Sequence, residues 1–318
     1  MRWCRRWLIT TLVTISSVCV HAQEIDSLIL ADVEEALTYE DSLSIFNLID
    51  SILQHGDIGG SQLVLRLSYN SNVLSAGRTL GIENFGLSSG VSYYHKSGFY
   101  ADVSTYWSKD FDPSFYLTAA SVGYMYSFSK KFSIMAGYDR YFYNLRKEDE
   151  YIPYKNTLSL IPIVELKPLL LTLNYSFYFG DAHVHRIMPG VSLILQKKKF
   201  AHIDRIAVTP SFYMLLGNET LTEIEFVSPK DRIEGLRNYL LYGSWYTLIE
   251  KNTNVFGIMN YAVSIPISIT YKNWGFSFMY TYNIPKALPG EPLTISESSY
   301  LSGGLMYFIG FRRNKFPL

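Results

Sequence analysis

The sequence predicts an all-β fold: one antiparallel barrel of about twelve strands, closed on itself and crossing a membrane. Three observations predict it. Apolar residues recur at every second position along most of residues 58–318, the period of a strand with one apolar face. The connections between these runs alternate strictly between long and short, as where tight turns serve one side of a membrane and larger loops the other. The faces opposite the apolar ones carry Ser, Thr, Gly, Asn and Tyr but few charges, whereas a sheet facing water would present Lys and Glu.

The chain begins with a different grammar. Arg2, Arg5 and Arg6 precede an apolar stretch, Trp7 to Val20, that is short for a membrane-spanning helix, and Val20-His21-Ala22 offers a small-residue cleavage site. Residues 1–22 are therefore expected to be a signal peptide removed after Ala22. Cys4 and Cys19 are the only cysteines, so the exported chain has no disulfide framework and no thiolate metal site.

Residues 23–57 form an acidic N-terminal segment. Glu24, Asp26, Asp32, Glu34, Glu35, Glu40, Asp41, Asp50 and Asp57 fall there with no Lys or Arg among them. Within it, Ser42 to Leu53 places Ile45, Ile49, Ile52 and Leu53 at helical spacing behind a Ser able to cap a helix. A short helical segment is expected, docked on the basic rim or entering the lumen as a partial plug, with a disordered leader in which the helix is incidental as the alternative.

From residue 58 onward the strand period takes over. Twelve strands are expected: 61–70, 85–95, 99–107, 115–128, 132–143, 157–166, 169–179, 187–196, 203–216, 255–271, 274–283 and 299–311. The uncharged run Asn252 to Tyr271 has the length of a membrane helix. However, Tyr261, Val263, Ile265, Ile267 and Ile269 alternate with smaller residues, and Pro266 sits mid-run, which makes it a strand. Short turns at 96–98, 129–131, 167–168 and 272–273 alternate with long loops, including 180–186 and the 217–254 stretch. That last stretch has three readings: an inward constriction, an external surface, or two more strands in a fourteen-stranded barrel.

On these residues the chain resembles a bacterial outer-membrane β-barrel protein of the porin-like class. The last strand carries the resemblance furthest: Gly304 is followed by Tyr307, Ile309 and Phe311, like the C-terminal signal read by the barrel-assembly machinery. Seven further residues, Arg312 to Leu318, depart from that pattern. The resemblance implies the cell outer membrane, with outer-membrane lipids and the assembly machinery as partners.

Charge then sorts by compartment. The whole chain has 28 Lys+Arg against 28 Asp+Glu, which gives no basic face for a nucleic acid. Acids concentrate in the long loops. Lys96, Lys130, Lys131, Lys167, Lys197, Lys198, Lys199 and Lys272 lie in or beside the short turns, and Arg312, Arg313 and Lys315 follow the last strand. By alternation Arg66, Asp102, Asp139, Glu165 and Arg205 face the lumen, where charged residues either tune permeation or fill a narrow interior with ion pairs. His183 and His185, near Asp181, are the sole cluster with metal-ligand character, and an ordinary polar loop accounts for them; no metal or other cofactor is expected.

The expected function is passive passage of small hydrophilic solutes rather than catalysis. A non-conducting docking or secretion-accessory barrel is the alternative. A membrane-embedded hydrolase comes third, because His95-Lys96-Ser97-Gly98 has the His–Ser spacing of outer-membrane phospholipases without their Asn, in a turn expected on the periplasmic side.

Overall fold

The computed structural model describes residues 61–71, 86–109, 111–144, 154–291 and 296–311. The signal peptide, the acidic segment with its expected helix, and the basic tail after Phe311 lie outside the described residues.

The strands are β1 (Ser61–Asn70), β2 (Gly86–Tyr94), β3 (Phe99–Trp107), β4 (Phe115–Ser127), β5 (Phe132–Tyr143), β6 (Tyr154–Leu166), β7 (Leu169–Gly180), β8 (His183–Leu193), β9 (Leu195–Phe200), β10 (Ile203–Val208), β11 (Ser211–Val227), β12 (Thr247–Tyr271), β13 (Trp274–Pro285) and β14 (Ser298–Phe311), with one helix, α1 (Arg232–Tyr242). All pairings are antiparallel. The barrel closes where β1 meets β14, Ser61 opposite Phe311, and where β11 meets β12.

Fourteen strands make twelve staves. Ser192 pairs Ser211 on one side of the break and Leu195 pairs Val208 on the other, with no slip in register. Thus β8–β9 and β10–β11 are each one stave, interrupted at Ile194 and at Thr209-Pro210. Proline has no N–H to give the ladder, and at this break Leu193 N and Ile194 N donate to the carbonyls of Pro210 and Pro168.

The two faces differ in chemistry. Leu65 and Leu67, Leu171 and Leu173, Val263 and Ile265, and Phe276 and Phe278 are exposed on the outside. Their neighbours in alternation, among them Ser92, Ser104, Ser159, Thr172, Ser176, Ser192, Ser264 and Thr281, are buried within. An apolar exterior around a polar interior is the inverse of a water-soluble barrel and matches one set in lipid. Aromatics mark both ends of the outer face: Tyr126, Phe128 and Phe132 are in ring contact near the short turns, as are Trp274 and Tyr307, while Phe177, Phe179 and His185 stack near the long loops. Among the described residues no helix is long and apolar enough to cross a membrane.

Residues 217–254 decide between the three readings of the sequence. The extra staves and the inward constriction fall away, and the stretch stands outside, though as strand rather than loop. Here β11 and β12 continue past the barrel as a two-stranded arm, pairing from Glu219↔Val255 to Val227↔Thr247. Nine residues of strand reach about 30 Å. Helix α1 lies at the tip, begun by Asp231, which accepts from Glu234 N, and ended by Gly243 in the left-handed region at φ 69°. Glu234 in turn accepts from the backbone N–H of Lys230, one residue before the cap.

Candidate functional site: the polar belt in the lumen

A ladder of inward residues runs across five adjacent strands in register: Ser92, Asp102, Ser121, Asp139 and Thr157, each opposite the next. Alternation places all five on the inner face. Asp102 is fully hydrogen-bonded. Its Oδ1 accepts from Ser92 Oγ at 2.6 Å and from Arg66 Nη2 at 2.5 Å, and its Oδ2 accepts from Ser104 Oγ at 2.8 Å. Ser121 hydrogen-bonds Asp139, the second carboxylate of the belt.

Arg66 reaches Asp102 from two strands away because the residue between them is glycine. Arg66 pairs Gly90 across β1–β2, and Gly90 pairs Ser104 across β2–β3. A Cβ on Gly90 would lie 2.6 Å from Ser104 Oγ and 3.0 Å from Arg66 Nη2. The bare backbone therefore lets the guanidinium lie across β2. Beside it is a cavity of about 50 Å³ walled by Ser68, Ser88, Gly90, Ser104, Tyr106, Ser277, Gly304 and Met306.

The same device recurs one row on. Tyr100 lies over Gly123 and Gly137; a Cβ on Gly123 would be 2.5 Å from its ring, and one on Gly137 would be 2.7 Å from its hydroxyl. Across the barrel, Tyr213 covers Gly190 in the same way. Large inward side chains lie along the wall over neighbours that have none.

Toward the short turns the lumen becomes apolar. Val64, Tyr94, Tyr100, Met135, Ile161, Ile163, Leu170, Met306 and Phe308 form one buried cluster, with Met125 and Ile194 packed against it. These residues come from β1, β2, β3, β5, β6, β7 and β14, more than half the circumference. Period-two alternation sets the direction of a side chain and says nothing of whether the barrel's interior is filled, so this layer is not visible in the sequence.

Of the five expected lumen charges, the structure brings together Arg66, Asp102 and Asp139. Glu165 stands apart at the short-turn mouth, where its Oε1 lies 3.3 Å from Lys167 Nζ. Arg205 is buried on the far wall and donates from Nε to Gln196 Oε1 at 2.9 Å. The sequence reading missed Arg186, which it assigned to a loop over 180–186. The turn is only Asp181-Ala182, so Arg186 is a buried inward residue of β8 and donates to Asn218 O. The alternation Val184, Arg186, Met188 is the signal that would have found it.

The same correction moves the histidines. His183 and His185, two apart on strand β8 rather than in a loop, share one face, the outer one. His185 stacks on Phe177 at 4.9 Å, and its Nδ1 lies 2.9 Å from Tyr175 Oη. They belong to the aromatic band. Among the described residues no group of three His, Cys, Asp or Glu could hold a metal.

His95 and Ser97 do meet, Nδ1 to Oγ at 2.8 Å, beside a surface cavity of about 320 Å³. Ser97 N also donates to that Nδ1 at 3.3 Å, so the contact closes the β2–β3 turn. A working nucleophile–base pair would need a third group orienting the base, and no carboxylate bonded to His95 is seen among the described residues.

No family model and no curated protein matches the chain. Solved structures similar to it include the KdgM porin, at 12% identity and TM-score 0.42, covering 77% of this chain and 98% of that one. The NanC porin, at 11% identity and TM-score 0.40, covers the same shares. LpxR from Salmonella typhimurium, at 11% and 0.39, covers 77% of this chain and all (100%) of that one. Similarity of this extent carries no function from one barrel to another.

Proposed function

We propose that the protein is an outer-membrane barrel that passes small hydrophilic solutes, with the Arg66–Asp102–Asp139 belt as its selective layer. The observation that supports this is the inverted barrel itself. Every stave is apolar outside, and between its apolar clusters the inner wall carries small polar residues, with one guanidinium and two carboxylates at a common level. Water and hydroxylated solutes find donors and acceptors there at no cost of leaving them unmade. The short turns and both ends of the barrel domain face the periplasm, and the arm with α1 faces outside. The apolar cluster near the short turns makes the passage narrow, so a small conductance is expected rather than that of a wide porin. The test is planar-bilayer recording of the purified full chain, with Asp139→Asn beside it. Discrete openings whose cation preference falls in the variant support the reading. Sealed bilayers together with no flux of small sugars in liposome swelling would sink it.

The apolar cluster also favours a second reading, a closed barrel that holds its external arm as a docking element. On that reading the same recordings stay silent.

A further inference from the structure

We infer that the short-turn rim of the barrel is a docking surface for the acidic N-terminal segment of the same chain, residues 24–57. The rim is a ring of like charge. Each of the five short turns, or the strand end beside it, presents lysine: Lys96, the pair Lys130 and Lys131, Lys167, the run Lys197–Lys199 at the end of β9, and Lys272, all of them exposed. Against these, the carboxylates placed at this end among the described residues are Glu165, which pairs Lys167, and Asp204, whose Oδ2 accepts from the backbone N of Lys272. Lys197 and Lys272 lie over the rings of Phe200 and Tyr271 at the same strand ends, which anchors their stems without neutralising their charge. A ring of this kind repels itself and calls for an anionic partner.

The geometry points to the partner inside the chain. Ser61 opens β1 opposite Phe311, and its Oγ accepts from Lys96 N at 3.3 Å. Whatever precedes Ser61 therefore leaves the wall at the rim, beside a lysine turn. What precedes it holds nine carboxylates and no Lys or Arg between residues 23 and 57. Asp57, four residues before Ser61, stays within roughly 14 Å of that point in any conformation. A segment so tethered is present at millimolar effective concentration, and its exposed ion pairs, each weak, act as a set. The phosphates of inner-leaflet lipids are the competing anions.

The experiment reads lysine reactivity in the exported full chain reconstituted in zwitterionic vesicles. It compares the native chain with a variant whose carboxylates in 24–57 are all changed to amides. The variant leaves every barrel residue in place, so its folding is not at issue. The expected result is that rim lysines acetylate about threefold more slowly in the native chain, as occupancy near two-thirds by a tethered partner requires. Lys230 on the arm serves as the unchanged internal standard. The protection disappears in 1 M salt, where screening falls to about 3 Å, and carbodiimide joins segment carboxylates to rim lysines within one chain. Equal reactivity in the two forms overturns the inference. So does protection that is the same in both and rises with anionic lipid, which would assign the rim to headgroups.

Discussion

The guanidinium of Arg66 and the carboxylate of Asp102 meet at 2.5 Å inside the barrel, although β2 lies between their strands. Their side chains are 15% and 13% exposed, so water screens the pair poorly. Asp102 also collects Ser92 and Ser104, and the cluster ties β1, β2 and β3 together from within.

Removing one partner should cost more than removing both. Arg66→Met leaves a carboxylate in a lumen that no longer neutralises it, a loss of about 3 kcal/mol. Arg66→Met with Asp102→Asn should recover most of that, since the amide still bonds the serines and no charge is stranded. Urea unfolding in vesicles measures both. Equal losses in the single and double variants would show that the pair contributes nothing through its charge.

The strands were legible because each stave has one face in lipid and one in a polar lumen, so alternation is nearly unbroken along its length. Strands β1, β3 and β5 begin and end where the period begins and ends. The arm was not legible for the opposite reason. In residues 217–227 and 247–254 the alternation shrinks to Ile224 and Phe226 beside Glu223 and Glu225, too short a run to give a period. The belt was half legible: alternation gives the direction of Arg66, Asp102 and Asp139, but their meeting depends on register between strands and on Gly90, neither of which leaves a periodic trace. The inward tyrosines Tyr100 and Tyr213 are buried over Gly123, Gly137 and Gly190 rather than at a bilayer interface, a placement set by which glycine faces them.

Gly90 should be the least replaceable small residue of the belt. Gly90→Val puts branched carbons where Ser104 Oγ and Arg66 Nη2 lie, and overpacking of this kind costs about 1–3 kcal/mol. The loss should shrink when Arg66→Met is already present, because the displaced guanidinium is gone. Double-mutant unfolding in vesicles reads the coupling, and strictly additive losses would count against the crossing of Arg66 over Gly90.

The assignment of faces is open to a direct check on β7. Leu173 is 43% exposed on the outer face mid-strand. In lipid, Leu173→Arg should destabilise the folded barrel by about 2–4 kcal/mol, and Phe179→Arg, near the long-loop end, by about 0–1 kcal/mol. A water-facing sheet would show no such dependence on depth, so equal and small losses at both positions in vesicle unfolding would refute a bilayer setting.

The arm should be dispensable for the barrel. β8 last pairs β11 at Gly217, and β13 last pairs β12 at Asn260. From Glu219 and Val255 outward the two strands pair with each other only. Replacing residues 220–254 with Asn-Gly joins a facing pair through the two-residue turn that suits a hairpin. The urea midpoint and the heat-modifiable gel shift should stay as in the full chain. The tip is a different matter: Ile233, Leu236 and Leu240 are 74%, 54% and 75% exposed on one side of α1, a contiguous apolar face of the kind that drives association. The shortened chain should therefore self-associate less in sedimentation at matched detergent. Loss of the folded band on shortening would mean that the arm packs against the wall and supports it.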